Sequence, residues 1–245
     1  NPKYVLIENV PGLVSLFNGK IKDEIIKSLE ELGYTVNFQI LRASEYGVPQ
    51  HRRRVFFIGS KNGDKFEFPL PTHKEQENLI FKKMVSTYDA LHDLPILEDE
   101  LGETVQNYVL PVNNSYQELM RVNSTKVLNH IAANHSEKVK ETIKLVPPGK
   151  NYKALPEELR NSRNFNVAWT RFPDHAPSPT IDTGHRHHFH YLANRVPTVR
   201  ECARLQSFPD RFEFIGNKTE QFRQVGNAVP PLLAQTLAKK ILEKL

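Results

Sequence analysis

A carboxylate stands at the end of a short, largely apolar run near the start of the chain. Residues 3–8 end in Glu8. Asn9 and the turn Val10-Pro11-Gly12 follow. This pattern predicts a buried strand with polar residues at its carboxyl end. A partly buried carboxylate there can donate or share a proton. Glu8 is therefore a candidate catalytic residue, and the alternative is a strand-end acid without a role.

A run of three arginines precedes a second apolar stretch. The sequence reads Gln50-His51-Arg52-Arg53-Arg54 and then Val55-Phe56-Phe57-Ile58. In an extended chain, Arg52 and Arg54 point to one side and Arg53 to the other. Two guanidinium groups at the end of a sheet suit a phosphate or a carbonyl oxygen that gains charge. The alternative is a solvated run of charges.

Three further features carry weaker signals. The stretch 184–190 holds four histidines, for which we expect polar or base-contacting loop residues and no metal site. Cys202 lies inside a predicted helix with no activating base nearby, and we expect a packed structural thiol. Residues 224–231 predict a tight turn before a helix, where free backbone N–H groups near Asn227 could hold a carboxylate or a ribose hydroxyl.

The elements that must position these residues alternate between strand and helix. Residues 20–32 have a helical apolar face and are followed by Gly33 as a C-cap, and residues 34–41 alternate as a strand does. With the strands at 3–8 and 55–59, they predict the second half of an open α/β sheet. Ligands of such sheets bind beyond the carboxyl ends of the strands.

The rest of the chain divides by composition. Residues 66–194 are broken by frequent prolines and predict a loop-rich second domain. A capping box at Thr198 and Glu201 begins a helix, and a second helix begins at Pro230-Pro231. We therefore expect one domain formed by residues 1–65 and 195–245, interrupted by another at 66–194.

Composition excludes several classes of protein. The chain has 245 residues, a net charge of +5 and a single cysteine, so it forms no internal disulfide and no multi-cysteine zinc site. No apolar run is long enough to span a bilayer, and we expect a cytoplasmic protein. Both ends are basic, while residues 89–103 are strongly acidic and predict a solvated outer face.

Four motifs in this order resemble the C-terminal two-thirds of a C5-cytosine DNA methyltransferase. They are Glu8-Asn9-Val10, the Gln-x-Arg-x-Arg pattern of Gln50, Arg52 and Arg54, the helix 200–209, and the final motif 224–229. Pro179-Thr180-Ile181 is similar to a Thr-Leu/Ile pair within the family's variable region. The resemblance implies the second half of a Rossmann-like S-adenosylmethionine-dependent methyltransferase sheet, interrupted by a smaller, loop-rich target-recognition domain.

The resemblance also implies roles for individual residues. Glu8 would contact the ring N3 and exocyclic amine of a flipped cytosine, Arg54 its O2, and Arg52 a neighbouring phosphate. S-adenosyl-L-methionine would be bound by Asn227, Ala228 and Val229, although the family often has serine in place of Ala228. The candidate DNA contacts are Gln50, Thr180, Arg163, Arg171 and Arg186. Double-stranded DNA is the expected partner.

The family's Gly-rich cofactor loop and Pro-Cys nucleophile are absent from these residues. The resemblance therefore implies a chain that is inactive alone, as a fragment, a truncated product or one subunit of a split enzyme with a second polypeptide. We expect a bacterial restriction–modification enzyme that acts at the nucleoid. The alternatives are a non-catalytic DNA-binding or regulatory remnant, and the RNA-methylating branch of the family.

Overall fold

The computed structural model describes residues 1–98, 100–160, 169–184 and 187–245. Its largest sheet has three strands, β1 (Tyr4–Asn9), β2 (Thr35–Arg42) and β3 (Arg53–Ser60), in the order β1-β3-β2. The central strand, β3, runs antiparallel to both neighbours, so β1 and β2 are parallel to each other. The three strands expected from the sequence are therefore confirmed, with ends that differ by at most two residues.

The register of this sheet brings its polar ends together. Asn9 lies opposite Val55, and Arg42 lies opposite Arg53. The carboxyl ends of β1 and β2 and the amino end of β3 therefore share one edge, which we call the polar edge. The outer side of β1 has no strand beside it among the described residues.

Helix α1 (Lys20–Glu31) covers one face of the sheet. Its Ile25 and Leu29 pack with Tyr34 and Val36, which extend from the start of β2. Gly33 has a φ of 83° just after the helix, a conformation that glycine adopts without steric cost. The predicted helix and its glycine cap are confirmed.

The middle of the chain is loop-rich, as expected. Its strands are only two residues long: β4 (His73–Lys74), β5 (Lys82–Lys83), β6 (Val105–Gln106), β7 (Val127–Leu128), β8 (Thr170–Arg171) and β9 (His188–Phe189). Its helices are α2 (Thr87–Leu91), α3 (Ser115–Arg121), α4 (Glu137–Lys144) and α5 (Glu157–Arg160). Short 3-10 helices occupy Ala43–Tyr46 and Tyr152–Ala154, and the segment Pro11–Gly19 contains 3-10 turns interrupted by a kink at residues 16–18.

Three helices follow the loop-rich region. They are α6 (Val199–Leu205), α7 (Lys218–Asn227) and α8 (Pro231–Leu242). The capping box of Thr198 and Glu201 and the proline start of α8 are confirmed. The tight turn expected at 224–231 is corrected in its first half, because residues 224–227 form the last turn of α7, whereas residues 228–230 make the short turn that leads into α8. None of the described helices is long and apolar enough to cross a membrane.

The largest core cluster crosses the expected domain boundary at residue 195. It joins Leu91 and Met120 from the middle region to Leu205 of α6 and Phe222 of α7. Helix α8, by contrast, packs on the face of the sheet that carries Phe56 and Ile58, through its side chains Leu233 and Leu237. The middle region therefore shares part of its core with α6 and α7.

Candidate active site and neighbouring cleft

The polar edge of the sheet brings Glu8 and Arg54 into contact. Glu8 lies opposite Phe56 in the strand register, so Arg54 is its diagonal neighbour on β3. The Arg54 Nε atom is 2.9 Å from Glu8 Oε1, and the two side chains are 15% and 23% exposed. Burial lowers the pKa of Arg54, while the carboxylate of Glu8 opposes that shift. The result is a partly accessible ion pair.

This pair can bind a flat heterocycle that carries both donors and an acceptor. A carboxylate accepts hydrogen bonds from a ring N–H and an amine, and a guanidinium donates to a carbonyl oxygen. The pair lies where open α/β sheets bind their ligands. Sequence reasoning therefore named two residues that the fold brings together.

Arg52 lies behind this pair, in the interior of the protein. Its Nη1 donates to the carbonyl oxygen of Ile181 at 3.0 Å, and its Nη2 donates to that of Gly226 at 2.7 Å. Burial lowers the pKa of Arg52 to about 10, with Arg54 acting in the same direction, so the side chain is charged at neutral pH. The expected contact with a phosphate is corrected, because the guanidinium is buried and engaged with the backbone.

Gln50 is also buried, with both ends of its amide engaged. Its Nε2 donates to Gln206 Oε1 at 2.8 Å and to the carbonyl of Leu205, and its Oε1 accepts from the backbone N–H of Ile181 at 2.9 Å. The expectation that Gln50 contacts DNA is therefore corrected. Gln50 instead holds the segment around Ile181 against the end of α6.

A cleft of about 720 Å³ opens beside this buried network. His51 and Thr180 lie on its wall, and the Thr180 hydroxyl donates to the His51 carbonyl at 3.2 Å. The other lining residues are Gly149, Thr170, Pro173, Ala176, Pro177, Pro179, Asp182 and His188. Thr180 therefore lies on the wall of an open cleft.

The remaining predicted DNA contacts do not line this cleft. Arg171 is buried, and its guanidinium donates to the carbonyls of Ile143, Val146 and His190, among others. Its role as a DNA contact is corrected, since the side chain is enclosed by backbone acceptors. Arg163 and Arg186 lie outside the described residues.

The residues expected to bind the cofactor join α7 to α8. Asn227 is exposed at the end of α7, and Ala228 and Val229 are half-buried. The expectation of free backbone N–H groups at the start of α8 is corrected at three positions, because Pro230 and Pro231 have no N–H and Leu232 donates to Ser207 Oγ. Asn227 and Val229 still fit one wall of a cofactor site, with a polar group exposed next to an apolar surface.

The sequence did not predict a close backbone contact between the end of α7 and the wall of the cleft. Gly226 packs directly on the backbone of Asp182 and Thr183. A Cβ atom at Gly226 would lie 2.7 Å from the Thr183 nitrogen and would overlap the Asp182 carbonyl. The glycine in the final motif, between Val225 and Asn227, is the only sequence signal for this contact.

The described histidines of the 184–190 stretch are either paired with a carboxylate or buried. His187 Nδ1 is 2.6 Å from Asp182 Oδ2, and His188 and His190 are buried. Burial lowers the pKa of His190 to about 3. Within the described ranges, no three His, Cys, Asp or Glu side chains are arranged to hold a metal ion. His185 lies outside the described residues.

Cys202 is buried in α6, as expected for a structural thiol. Burial is the largest cause that raises the pKa of this thiol, and Glu201 adds to it. A raised pKa leaves little of the reactive thiolate at neutral pH. Cys202 is therefore unsuited to act as a nucleophile.

Helix α6 carries buried ion pairs that the sequence did not predict. Arg204 bonds to Asp93 at 2.9 Å and to Asp210 at 2.6 Å, and Arg195 bonds to Glu201 at 2.7 Å. Asp93 belongs to the acidic stretch expected to be a solvated face, so that expectation was wrong at this position. The carboxylate instead ties the middle region to α6.

Comparison with known proteins identifies the family. The model of the C-5 cytosine-specific DNA methylase family matches residues 1–243. The chain belongs to this family. It is 38% identical over 242 residues to the Type II methyltransferase M1.HphI of Haemophilus parahaemolyticus, covering 99% of this chain and 57% of that protein. It is 37% identical over 263 residues to M.DdeI of Desulfomicrobium norvegicum, covering 98% and 63%.

A solved structure supports the same fold. The crystal structure of a DNA modification methyltransferase encoded within an E. coli prophage matches with a TM-score of 0.77 and 26% identity. The match covers 99% of this chain and 69% of that one. The expected family and α/β class are therefore confirmed, and C5-cytosine DNA methyltransferases use S-adenosyl-L-methionine as their cofactor. The chain spans about six-tenths of the length of the two Type II relatives.

Proposed function

We propose that this chain supplies the base-binding and DNA-recognition parts of a DNA (cytosine-5)-methyltransferase. The ion pair of Glu8 and Arg54 at the polar edge carries this proposal. Glu8 would accept from the exocyclic amine of cytosine and hold a proton at N3, and Arg54 would donate to O2. The ring C5 is reached only when the base leaves the helical stack, so a flipped cytosine is the expected substrate.

S-adenosyl-L-methionine supplies the methyl group when it is bound. Asn227 and Val229, with the backbone of Ala228, would form one wall of its site. Thr180 would contact the DNA backbone in the cleft, and residues 66–194 would choose the target sequence. We also propose that the sheet is the second half of a Rossmann-like sheet. The acceptor would be duplex DNA in a bacterial restriction–modification setting at the nucleoid, since the relatives described above are Type II methyltransferases.

The nucleophile of this reaction would come from a further segment. Cys202 is the single cysteine of the chain and is buried, with a thiol pKa well above its ordinary value. A thiol that attacks cytosine C6 must be ionised and must lie against the ring. We therefore propose that these 245 residues alone do not transfer methyl groups.

The test is complementation with the rest of a relative. The chain is mixed with, or fused to, the part of the Haemophilus protein outside the matched region. Transfer of a labelled methyl group from S-adenosyl-L-methionine to duplex DNA is then measured, and we expect transfer from the completed enzyme only. Transfer by the chain alone would contradict the separate nucleophile.

Two alternatives predict other results. A well-folded mixture that binds DNA and transfers nothing would favour a non-catalytic DNA-binding module. A completed enzyme that methylates transfer RNA and leaves duplex DNA unmodified would favour the RNA-methylating branch. We prefer DNA because the recognition region is long and has a wide cleft beside Thr180.

A further inference from the structure

We propose that Arg52 is a positioning residue that couples the DNA-facing cleft to the cofactor-binding end of α7. This inference rests on the proposed function, which places DNA beside Thr180 and the cofactor beside Asn227. One guanidinium joins the two regions, because it donates to the carbonyl of Ile181 and to that of Gly226. Ile181 follows Thr180, and Gly226 precedes Asn227.

The two hydrogen bonds from Arg52 to the carbonyls of Ile181 and Gly226, which we call the bridge, have a fixed geometry. Arg52 is buried, and a planar guanidinium presents its donors in a fixed fork, so the two carbonyls are held at a set separation. Lysine has a single ammonium on a flexible stem and does not reproduce this fork. The bridge therefore depends on arginine at this position and not only on a positive charge.

A direct backbone contact accompanies the bridge. Gly226 lies against the backbone of Asp182 and Thr183, with no room for a side chain. The last turn of α7 and the cleft wall therefore touch without an intervening side chain. A shift of one segment has to displace the other or open a gap in a packed interior.

A second set of hydrogen bonds runs parallel to the first. Gln50 accepts from the N–H of Ile181 and donates to Gln206. Gln206 in turn donates to the carbonyls of Val225 and Ala228, at 2.9 and 3.2 Å. Both routes connect the same two segments, which makes Arg52 and Gln50 parts of one buried network.

A ligand that orders either segment therefore favours the bound arrangement of the other. By linkage, the cofactor raises DNA affinity by the same factor by which DNA raises cofactor affinity. Couplings of this kind are typically about 5- to 150-fold. We expect the unaltered protein to show at least about 5-fold coupling.

The test measures this coupling in the completed enzyme described above. The Kd for cognate duplex DNA is determined with and without saturating S-adenosylhomocysteine, for the unaltered protein, Arg52→Lys and the matched control Arg53→Lys. Arg53 is the exposed neighbour of Arg52. We expect Arg52→Lys to reduce the coupling to less than about 2-fold and the control to retain it. Unchanged coupling in a folded Arg52→Lys protein would overturn the proposal.

A salt titration separates positioning from phosphate binding. Loss of one phosphate contact lowers the slope of log K against log salt by about 1. We expect Arg52→Gln, which removes the charge as well as the fork, to weaken DNA binding with an unchanged slope. A slope lower by about 1 would show that Arg52 touches a phosphate, against our proposal.

A measurement on the unaltered protein covers the case in which Arg52→Lys does not fold. We expect S-adenosylhomocysteine alone to slow hydrogen exchange of the backbone amides of Ser178 and Ile181. Unchanged exchange with the cofactor analogue bound would overturn the coupling. If the unaltered completed enzyme binds neither DNA nor the analogue, it is the proposed function that fails.

Discussion

Three consecutive arginines, one just before β3 and two within it, have different surroundings. Arg53 is exposed, Arg54 is half-buried beside Glu8, and Arg52 lies in the interior with two carbonyl acceptors. Close partners are needed to offset the free-energy cost of removing a charge from water. The partners available at each position therefore determine the role of its arginine. Charge alone, read from the sequence, does not distinguish these roles.

The first prediction concerns Glu8. In the completed enzyme, we expect Glu8→Gln to lower kcat by at least about 100-fold, because the amide no longer shares a proton with the base as a carboxylate does. The Kd for DNA should change by less than about 2-fold, since Glu8 is proposed to contact the base and not the phosphate backbone, which dominates affinity. Single-turnover methyl transfer and a binding titration measure both quantities. A rate equal to that of the unaltered enzyme would remove Glu8 from the mechanism.

Arg171 gives a prediction about stability. We expect Arg171→Met to lower the free energy of unfolding by about 3 kcal/mol, since it leaves several buried carbonyls without donors. Arg53→Met is the control, because an exposed side chain contributes within about 0.5 kcal/mol. Urea unfolding of the two variants tests this difference. Equal stability would show that Arg171 is dispensable to the core.

The pH dependence of folding is a third prediction. Burial lowers the pKa of His190 to about 3, whereas the unfolded side chain titrates near its ordinary value of 6.5. Between these values the unfolded state binds more protons, so His190 contributes stability above pH 6.5 that is lost as the pH falls. His130 and His188 are also buried with lowered pKa values and act in the same direction.

Urea unfolding at pH 7.5, 6.0, 5.5 and 5.0 measures this loss. We expect His190→Asn to remove about 1.4 kcal/mol per pH unit from the slope below pH 6, which corresponds to one proton. His175→Gln is the control, because that imidazole is largely exposed. A slope that His190→Asn leaves unaltered would refute the assignment.

At the scale of elements, the sequence predicted the helices and strands that are specified by residues close together in the chain. The strand ending at Glu8, helix α1 with Gly33, and the capping box of α6 follow from periodicity and cap residues within a few positions. The last turn of α7 was missed because Gly226 suggests a turn, whereas its structural reason is the backbone of Asp182, far away in the sequence. Likewise, the burial of Asp93 depends on Arg204, which only the fold brings near.

The contact between α7 and the cleft wall supplies the fourth prediction. We expect Gly226→Ala to destabilise the protein by about 2 kcal/mol, because the added methyl group overlaps the Asp182 backbone. Gly12→Ala is the matched control, since nothing lies within 4 Å of a Cβ atom there. Thermal unfolding of both variants tests the difference. Equal midpoints would show that the backbone at Asp182 yields easily.

At the scale of the whole molecule, the pair proposed to bind the base and the cleft proposed to face DNA belong to different parts of the chain. Glu8 and Arg54 lie on the sheet, while the cleft is lined mainly by residues of the middle region. We expect that replacing residues 104–190 with the matching segment of the Desulfomicrobium relative changes the methylated sequence and preserves the chemistry. Sequencing of methylated sites in a DNA library measures this. Retention of the original sites would place recognition elsewhere.

The shared core of the middle region and α6–α7 has a consequence for biosynthesis. Leu91 and Met120 pack against Leu205 and Phe222, which are translated some hundred residues later. Contacts so distant in sequence form slowly, and the nascent chain exposes apolar surface until its partner arrives. The region proposed to read DNA therefore completes this core only after α7 has left the ribosome, and until then the nascent chain exposes the apolar surface that promotes aggregation.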